Sequence, residues 1–215
     1  MINRNQPWQL VCFDLDGTLV HGTTTCLHLS RALGHEAVLS DLESRYARGE
    51  ISNSACADID ATFYVGLPLR RVEDLLNDIP MIAGINETVR ALELEGIPSL
   101  IATVTWKFAA EIIARRFGFL QASGTEMAIS ESGILEGRVS KHFDEFSKLE
   151  YVRAFCSSRG IDLKRVVAIG DSRSDIPLFG AVGRSVALNA TAPAKAAASH
   201  SLDTNWLPDV LALLR

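Results

Sequence analysis

Two carboxylates stand two residues apart where a short apolar run stops: Asp14-Leu15-Asp16-Gly17-Thr18, directly after Leu10-Val11-Cys12-Phe13. A second pair, in Gly170-Asp171-Ser172-Arg173-Ser174-Asp175, follows another run, Val166-Val167-Ala168-Ile169. Such short runs read as strands buried on both faces, and in open α/β sheets ligands gather at the carboxyl ends of the strands. A carboxylate in that position is costly unless a cation or a proton neutralises it. If the two strands are neighbours, Asp14, Asp16, Asp171 and Asp175 converge on one crevice, and a set of hard oxygen donors suits Mg²⁺. Two further side chains suit an anion beside such a cluster. Thr105 closes the apolar run 99–104 and stands where a helix begins, so its hydroxyl and the nearby N–H groups make a natural anion site. Lys148, near the start of the helical pattern over 144–159, offers one compact positive charge.

The elements that must hold these groups alternate along the chain. Apolar runs at 10–13, 99–104 and 166–169, with a weaker one at 185–188, are separated by helical patterns over about 84–95, 106–117 and 144–159. Alternating strand and helix implies right-handed βαβ units, hence an α/β protein with a Rossmann-like, doubly wound parallel sheet. Residues 23–82 break the alternation. Patterns over 27–47, 52–64 and 69–77 have helical spacing, punctuated by Gly49 and by the Gly66-Leu67-Pro68 turn. The expected organisation is a catalytic core formed by 1–22 and 83–215, with a helical cap domain, 23–82, inserted after the first strand. Residues 123–139 read as a β-hairpin flap turning at Glu131-Ser132-Gly133, and the alanine-rich stretch 190–198 as a short helix.

Composition removes several classes of function. The chain has 215 residues, 47% of them apolar and 22% charged, which fits one globular α/β unit rather than a disordered or fibrous chain. Its net charge is −5, and no basic run exceeds the pairs Arg70-Arg71 and Arg115-Arg116, so nucleic acid is not an expected partner. No apolar stretch is long enough to cross a membrane, and the polar N-terminus lacks a signal peptide's apolar segment. Four scattered cysteines form no Cys-x-x-Cys pair, which suits a reducing compartment, and a cytoplasmic location is expected. Neither G-x-G-x-x-G nor G-x-x-x-x-G-K occurs, so dinucleotide-cofactor and P-loop readings lose their support.

Asp14-Leu15-Asp16-Gly17-Thr18 resembles the first motif of the haloacid dehalogenase superfamily, D-x-D-G-T. Thr105 after an apolar strand matches the second motif, Lys148 the third, and Gly170-Asp171-Ser172-Arg173-Ser174-Asp175 the fourth, G-D-x-x-x-D. The matches come in the family's order and span most of the chain. A helical insert between the first and second motifs is similar to the phosphoserine phosphatase-like subfamily. The resemblance implies a Mg²⁺-dependent phosphatase acting on a small phosphate ester. Asp14 would be the nucleophile, forming an aspartyl-phosphate, and Asp16 the general acid and base, with its pKa raised for that task. Metal ligands would be Asp14, Asp16 through its carbonyl, Asp171 and Asp175. Thr105, Trp106 and Lys148 would hold the phosphate oxygens.

The chain departs from phosphoserine phosphatases at the positions that would hold the serine part. The family's Glu nine residues after the nucleophile is Thr23 here, and the region of its insert arginine reads Ala57-Asp58-Ile59-Asp60-Ala61. Phosphoserine itself is therefore not the expected substrate, and Thr23, Asp58 and Asp60 become candidate specificity residues. Other readings of the same motifs are a phosphoserine phosphatase after all, a phosphotransferase, or, from another class, a catalytically silent binding module.

Overall fold

The computed structural model describes residues 6–214. Its centre is a sheet of seven strands: β1 (Leu10–Phe13), β2 (Ser99–Trp106), β3 (Gln121–Ile129), β4 (Leu135–Lys141), β5 (Val166–Gly170), β6 (Arg184–Leu188) and β7 (His200–Leu202). They lie in the order β4-β3-β2-β1-β5-β6-β7, and every neighbouring pair is parallel except β3 and β4. This is the α/β, doubly wound sheet that the alternation of strands and helices implies.

Side chains of a strand alternate between faces, and here both faces are dry. Val11, Phe13, Ile101, Val167 and Ile169 pack on one side with helices α5 (Ile85–Leu94) and α6 (Lys107–Phe117) and with the 3₁₀ turn Leu207–Leu214. Leu10, Cys12, Leu100, Ala102, Val166 and Ala168 pack on the other with α7 (Glu145–Arg159), α8 (Ile176–Phe179) and α9 (Ala192–Ala197). β1 lies at the centre, with Val11 opposite Ser99 on one flank and Val167 on the other. The ends of β1, β2 and β5 therefore open onto one crevice.

Four helices lie between β1 and α5: α1 (Thr25–Leu33), α2 (Glu36–Ala47), α3 (Asn53–Ala61) and α4 (Leu69–Leu75). The helical pattern over 27–47 is two helices, not one. Gly34 sits at φ +83, a left-handed conformation that ends α1. The chain enters this helical segment past Val20 and returns at Met81, and the two passes are paired. His21 N–H donates to Pro80 O, Ile82 N–H to Leu19 O, and Val20 bridges Met81.

Residues 123–139 do form a hairpin, but not a free flap. Its first strand, β3, is bonded to β2 along the sheet, with Ala102 opposite Ser123 and Trp106 opposite Thr125. The reason is burial: Gly124, Thr125, Met127 and Ala128 are covered, so this piece belongs to the core rather than to solvent. The hairpin turn is also tied to the helical segment, since Gly66 N–H donates to Leu135 O, Leu135 N–H to Leu67 O and Leu69 N–H to Gly133 O. Among the described residues no helix is long and apolar enough to cross a membrane.

Candidate active site

Asp14 leaves the end of β1, and its N–H donates to Ile169 O of β5, which fixes the strand end beside its neighbour. The loop turns back at once: Gly17 lies at φ +80, and a Cβ there would sit 2.2 Å from Asp171 Oδ2. Only glycine lets the first acidic loop pass this close to the second. On β5's side, Asp175 Oδ2 accepts from the N–H groups of Asp171 and Ser172, both at 3.1 Å. Asp14, Asp171 and Asp175 each present a carboxylate oxygen within 4.8 Å of the other two.

Lys148 reaches the same point from the first turns of α7. That helix is capped by Asp144, whose Oδ1 accepts from Phe146 N–H and Ser147 N–H, and this sets the direction of the next side chains. The Lys148 ammonium is fully buried, 2.8 Å from Asp175 Oδ1, 2.8 Å from Ser174 Oγ and 2.9 Å from Asp14 Oδ1. Burial alone would push it down, but Asp14 and Asp175 outweigh that and hold it above its usual range. Burial and the neighbouring Asp175 push the Asp14 carboxyl up, with Lys148 opposing. Burial and the Asp14 charge raise Asp171.

One ammonium does not satisfy this cluster. Asp14 Oδ1 has only its ion pair with Lys148, at 2.9 Å, and Asp171 Oδ1 is buried with no hydrogen-bond partner. Buried polar oxygens left open are rare, and three convergent carboxylates, two of them with an open oxygen, have the donor chemistry of a divalent-cation site. The residues therefore fit Mg²⁺. Asp175 is the exception within the group, because both of its oxygens already accept hydrogen bonds.

Asp16 stands apart from the three. Its side chain turns toward α1, where Oδ1 accepts from Thr25 N–H at 2.6 Å and from Thr25 Oγ1 at 2.5 Å. Burial raises its pKa, and the Thr25 bonds oppose the rise. Thr105 is the penultimate residue of β2, two residues before α6 starts, and its hydroxyl lies 2.9 Å from Cys26 Sγ. Its neighbour Trp106 is aimed elsewhere: the indole is buried and Nε1 donates to Asp60 Oδ2 at 2.8 Å.

A cavity of about 500 Å³ opens over these groups. Asp14, Asp16, Thr105, Trp106 and Asp171 line it from the sheet, and Thr23 and Asp60 from the helical segment. Lys148 and Asp175 lie beneath its floor, joined to Asp14 as described. Asp58 is not brought to the cavity. It is exposed on the other side of α3, 3.4 Å from His142 Nε2. Asp60 does face inward, but it is bonded to His35 Nε2 at 2.9 Å as well as to Trp106.

Two groups on the cavity wall carry no sequence signal. Glu43 of α2 accepts from Thr24 Oγ1 at 2.5 Å, and burial pushes its carboxyl up to about 7. Arg173 leans over the Tyr46 ring, 4.4 Å from its centre, and donates to the Tyr46 carbonyl.

Comparison with known proteins agrees with this geometry. A phosphoserine phosphatase of Mycobacterium tuberculosis is 29% identical over 207 residues, covering 96% of this chain and 50% of that protein. One from Methanocaldococcus jannaschii is 24% identical over 210 residues, covering 96% and 98%. The chain thus spans about half the length of the first relative and nearly all of the second. Among solved structures, a substrate-bound phosphoserine phosphatase superposes with a TM-score of 0.84 at 24% identity, covering 96% of this chain and 98% of that one. The fold is thus shared with phosphatases of that name. The model of haloacid dehalogenase-like hydrolases matches residues 11–180, a span that holds all four motifs, and the chain belongs to that family.

Proposed function

We propose that the protein is a Mg²⁺-dependent phosphomonoester hydrolase that works through an aspartyl-phosphate on Asp14. The observation that carries this reading is the pair of open oxygens, Asp14 Oδ1 and Asp171 Oδ1, buried beside a lysine that cannot satisfy both. Asp14, Asp171 and the Asp16 carbonyl would hold the ion, with Asp175 orienting the loop through its two backbone bonds. Bound there, Mg²⁺ supplies positive charge against the phosphate and lowers its repulsion with the nucleophile.

The chain's own residues do the rest. Asp14 attacks phosphorus, and the P–O bond to the alcohol breaks as the new one forms. Asp16, its pKa raised by burial and its carboxyl oriented by Thr25, gives its proton to the leaving oxygen. It then takes a proton from the water that hydrolyses the acyl phosphate, which returns Asp14 and releases phosphate. Thr105 meets the transferring oxygens as a donor, and Lys148 places its positive charge beneath them against Asp14, fixed before the substrate arrives. Residues 23–82 act as a cap that closes the cavity and excludes water during turnover. Four free cysteines suit a cytoplasmic setting.

The substrate in this reading is a small phosphorylated metabolite other than phosphoserine. The relatives' names favour phosphoserine, and the side chains disagree: Thr23 carries no charge, and of 57–61 the side chain that carries charge into the cavity is Asp60, an acid where a carboxylate needs a base. A generic aryl phosphate and L-phosphoserine, each assayed with Mg²⁺ and with a chelator, test both parts. The aryl ester should be hydrolysed only with the metal. No turnover would remove the phosphatase reading, and selective, efficient hydrolysis of L-phosphoserine would remove the substrate reading.

A further inference from the structure

The charge on the cavity wall is one-sided. Above the metal-binding floor the wall carries Asp16, Glu43 and Asp60, and among the described lining residues its only cation is Arg173. That guanidinium is already committed: it donates to the Tyr46 carbonyl, lies over the Tyr46 ring and stands 3.5 Å from Glu145. A substrate carboxylate would therefore meet mainly acids, with the one base turned toward Tyr46 and Glu145.

Glu43 is the wall acid with the fewest partners. Asp60 is held by His35 and Trp106, and Asp16 by Thr25, whereas Glu43 has only the Thr24 hydroxyl. Among the described residues no lysine, arginine or histidine is paired with it. Its place is set by Thr24 and Thr25: the first holds Glu43 and the second holds Asp16, so consecutive residues set the two carboxyls side by side. One turn further along α2, Tyr46 also lines the cavity, and its hydroxyl is buried with no partner. An acid with no cation and a hydroxyl with no partner, on one face of one helix, both wait for a polar group that the protein itself does not supply.

We infer that Glu43 is the specificity-determining residue for a cationic substituent, and that the substrate class is the phosphate monoester of an amino alcohol bearing no carboxylate. This rests on the phosphatase reading above. The phosphate sits on the floor among Asp14, Thr105 and Lys148, and the ammonium turns up past Asp16 to Glu43. The shift of Glu43 to about 7 agrees, since an acid that burial keeps partly protonated is restored to full charge when a cation binds beside it.

The test compares O-phosphoethanolamine, ethyl phosphate and L-phosphoserine, all with Mg²⁺, on the wild-type chain and on Glu43→Gln. The wild type should prefer O-phosphoethanolamine over ethyl phosphate by about tenfold or more in kcat/KM, and Glu43→Gln should bring that ratio within about twofold, chiefly through KM. Calorimetric binding of the same two esters to Asp14→Asn reads the preference without turnover. A wild-type ratio near one, a preference that persists in Glu43→Gln, or L-phosphoserine as the best substrate overturns the inference. If an aryl phosphate is hydrolysed while the selectivity is missing, only this inference falls. If no ester is hydrolysed, the phosphatase reading falls, and equal calorimetric affinities would then reject the role of Glu43 separately.

Discussion

The floor and the roof of the cavity both bury carboxyl groups, and they leave them in different states. At the floor, Lys148 divides one ammonium among Asp14, Asp175 and Ser174, and Asp171 keeps an oxygen with no partner. At the roof, Asp60 is as deeply buried, yet each of its oxygens is taken, one by the His35 ring and one by the Trp106 indole. Acids are withdrawn from solvent in both places, Asp171 less completely than Asp60. What separates them is satisfaction: an acid with all its bonds made is a structural tie between α3 and the end of β2, whereas acids with bonds unmade are prepared for something that arrives from solution.

Substitutions can break that contrast. The largest effect is expected from Asp14→Asn, which should lower turnover of any phosphate ester by about 10⁴-fold or more while the fold persists by circular dichroism. Undiminished activity would remove Asp14 as the nucleophile. Lys148→Met comes next. It leaves the floor acids without their buried cation and should cost roughly 3–5 kcal/mol in urea unfolding of the metal-free protein, with part of the loss recovered on adding Mg²⁺. Asp60→Leu orphans an indole N–H and a ring nitrogen and should cost about 2 kcal/mol. Its effect on turnover should remain far below that of Asp14→Asn; an equal loss would erase the distinction between floor and roof.

The smallest effect is a slope with pH. Burial raises Glu43 from 4.5 to about 7, so between these values the folded chain holds a proton that the unfolded chain has released. Stability from this group is therefore complete below about 4.5 and falls as pH rises toward about 7. Glu43→Gln should flatten that part of the stability–pH curve by roughly 1–3 kcal/mol. An unchanged slope would show that Glu43 is solvated.

The acids at the floor were legible because a local pattern carries them: an apolar run that stops on a carboxylate marks a strand end whatever the rest of the fold does. That they meet depended on β5 lying next to β1, which pattern alone left conditional. Trp106 shows the limit of proximity along the chain. It follows Thr105 directly, but the indole is stacked 5.9 Å from Phe108 and turned into the roof. Asp58 and Asp60 could not both serve the cavity, since residues two apart on a helix point to opposite sides. Glu43 was hidden because α2 carries Asp41, Glu43 and Arg45 in the manner of a solvated face, and only the placement of the whole helix turns one of them inward. The long helical pattern was divided by Gly34, and β3 was drawn into the sheet by burial that its own alternation did not announce.

The helical segment is fastened unevenly around its rim. Backbone bonds join it to the sheet at the paired passes near Val20 and Met81, and again at the hairpin turn near Leu135. On the side of Arg173, the tie to α2 is a side chain resting on the Tyr46 ring and carbonyl. Main-chain ladders give way together, whereas a lone guanidinium contact lets go at small cost. A rim bonded through main chain at two places and through a single guanidinium at a third is stiffest along the path of the chain itself.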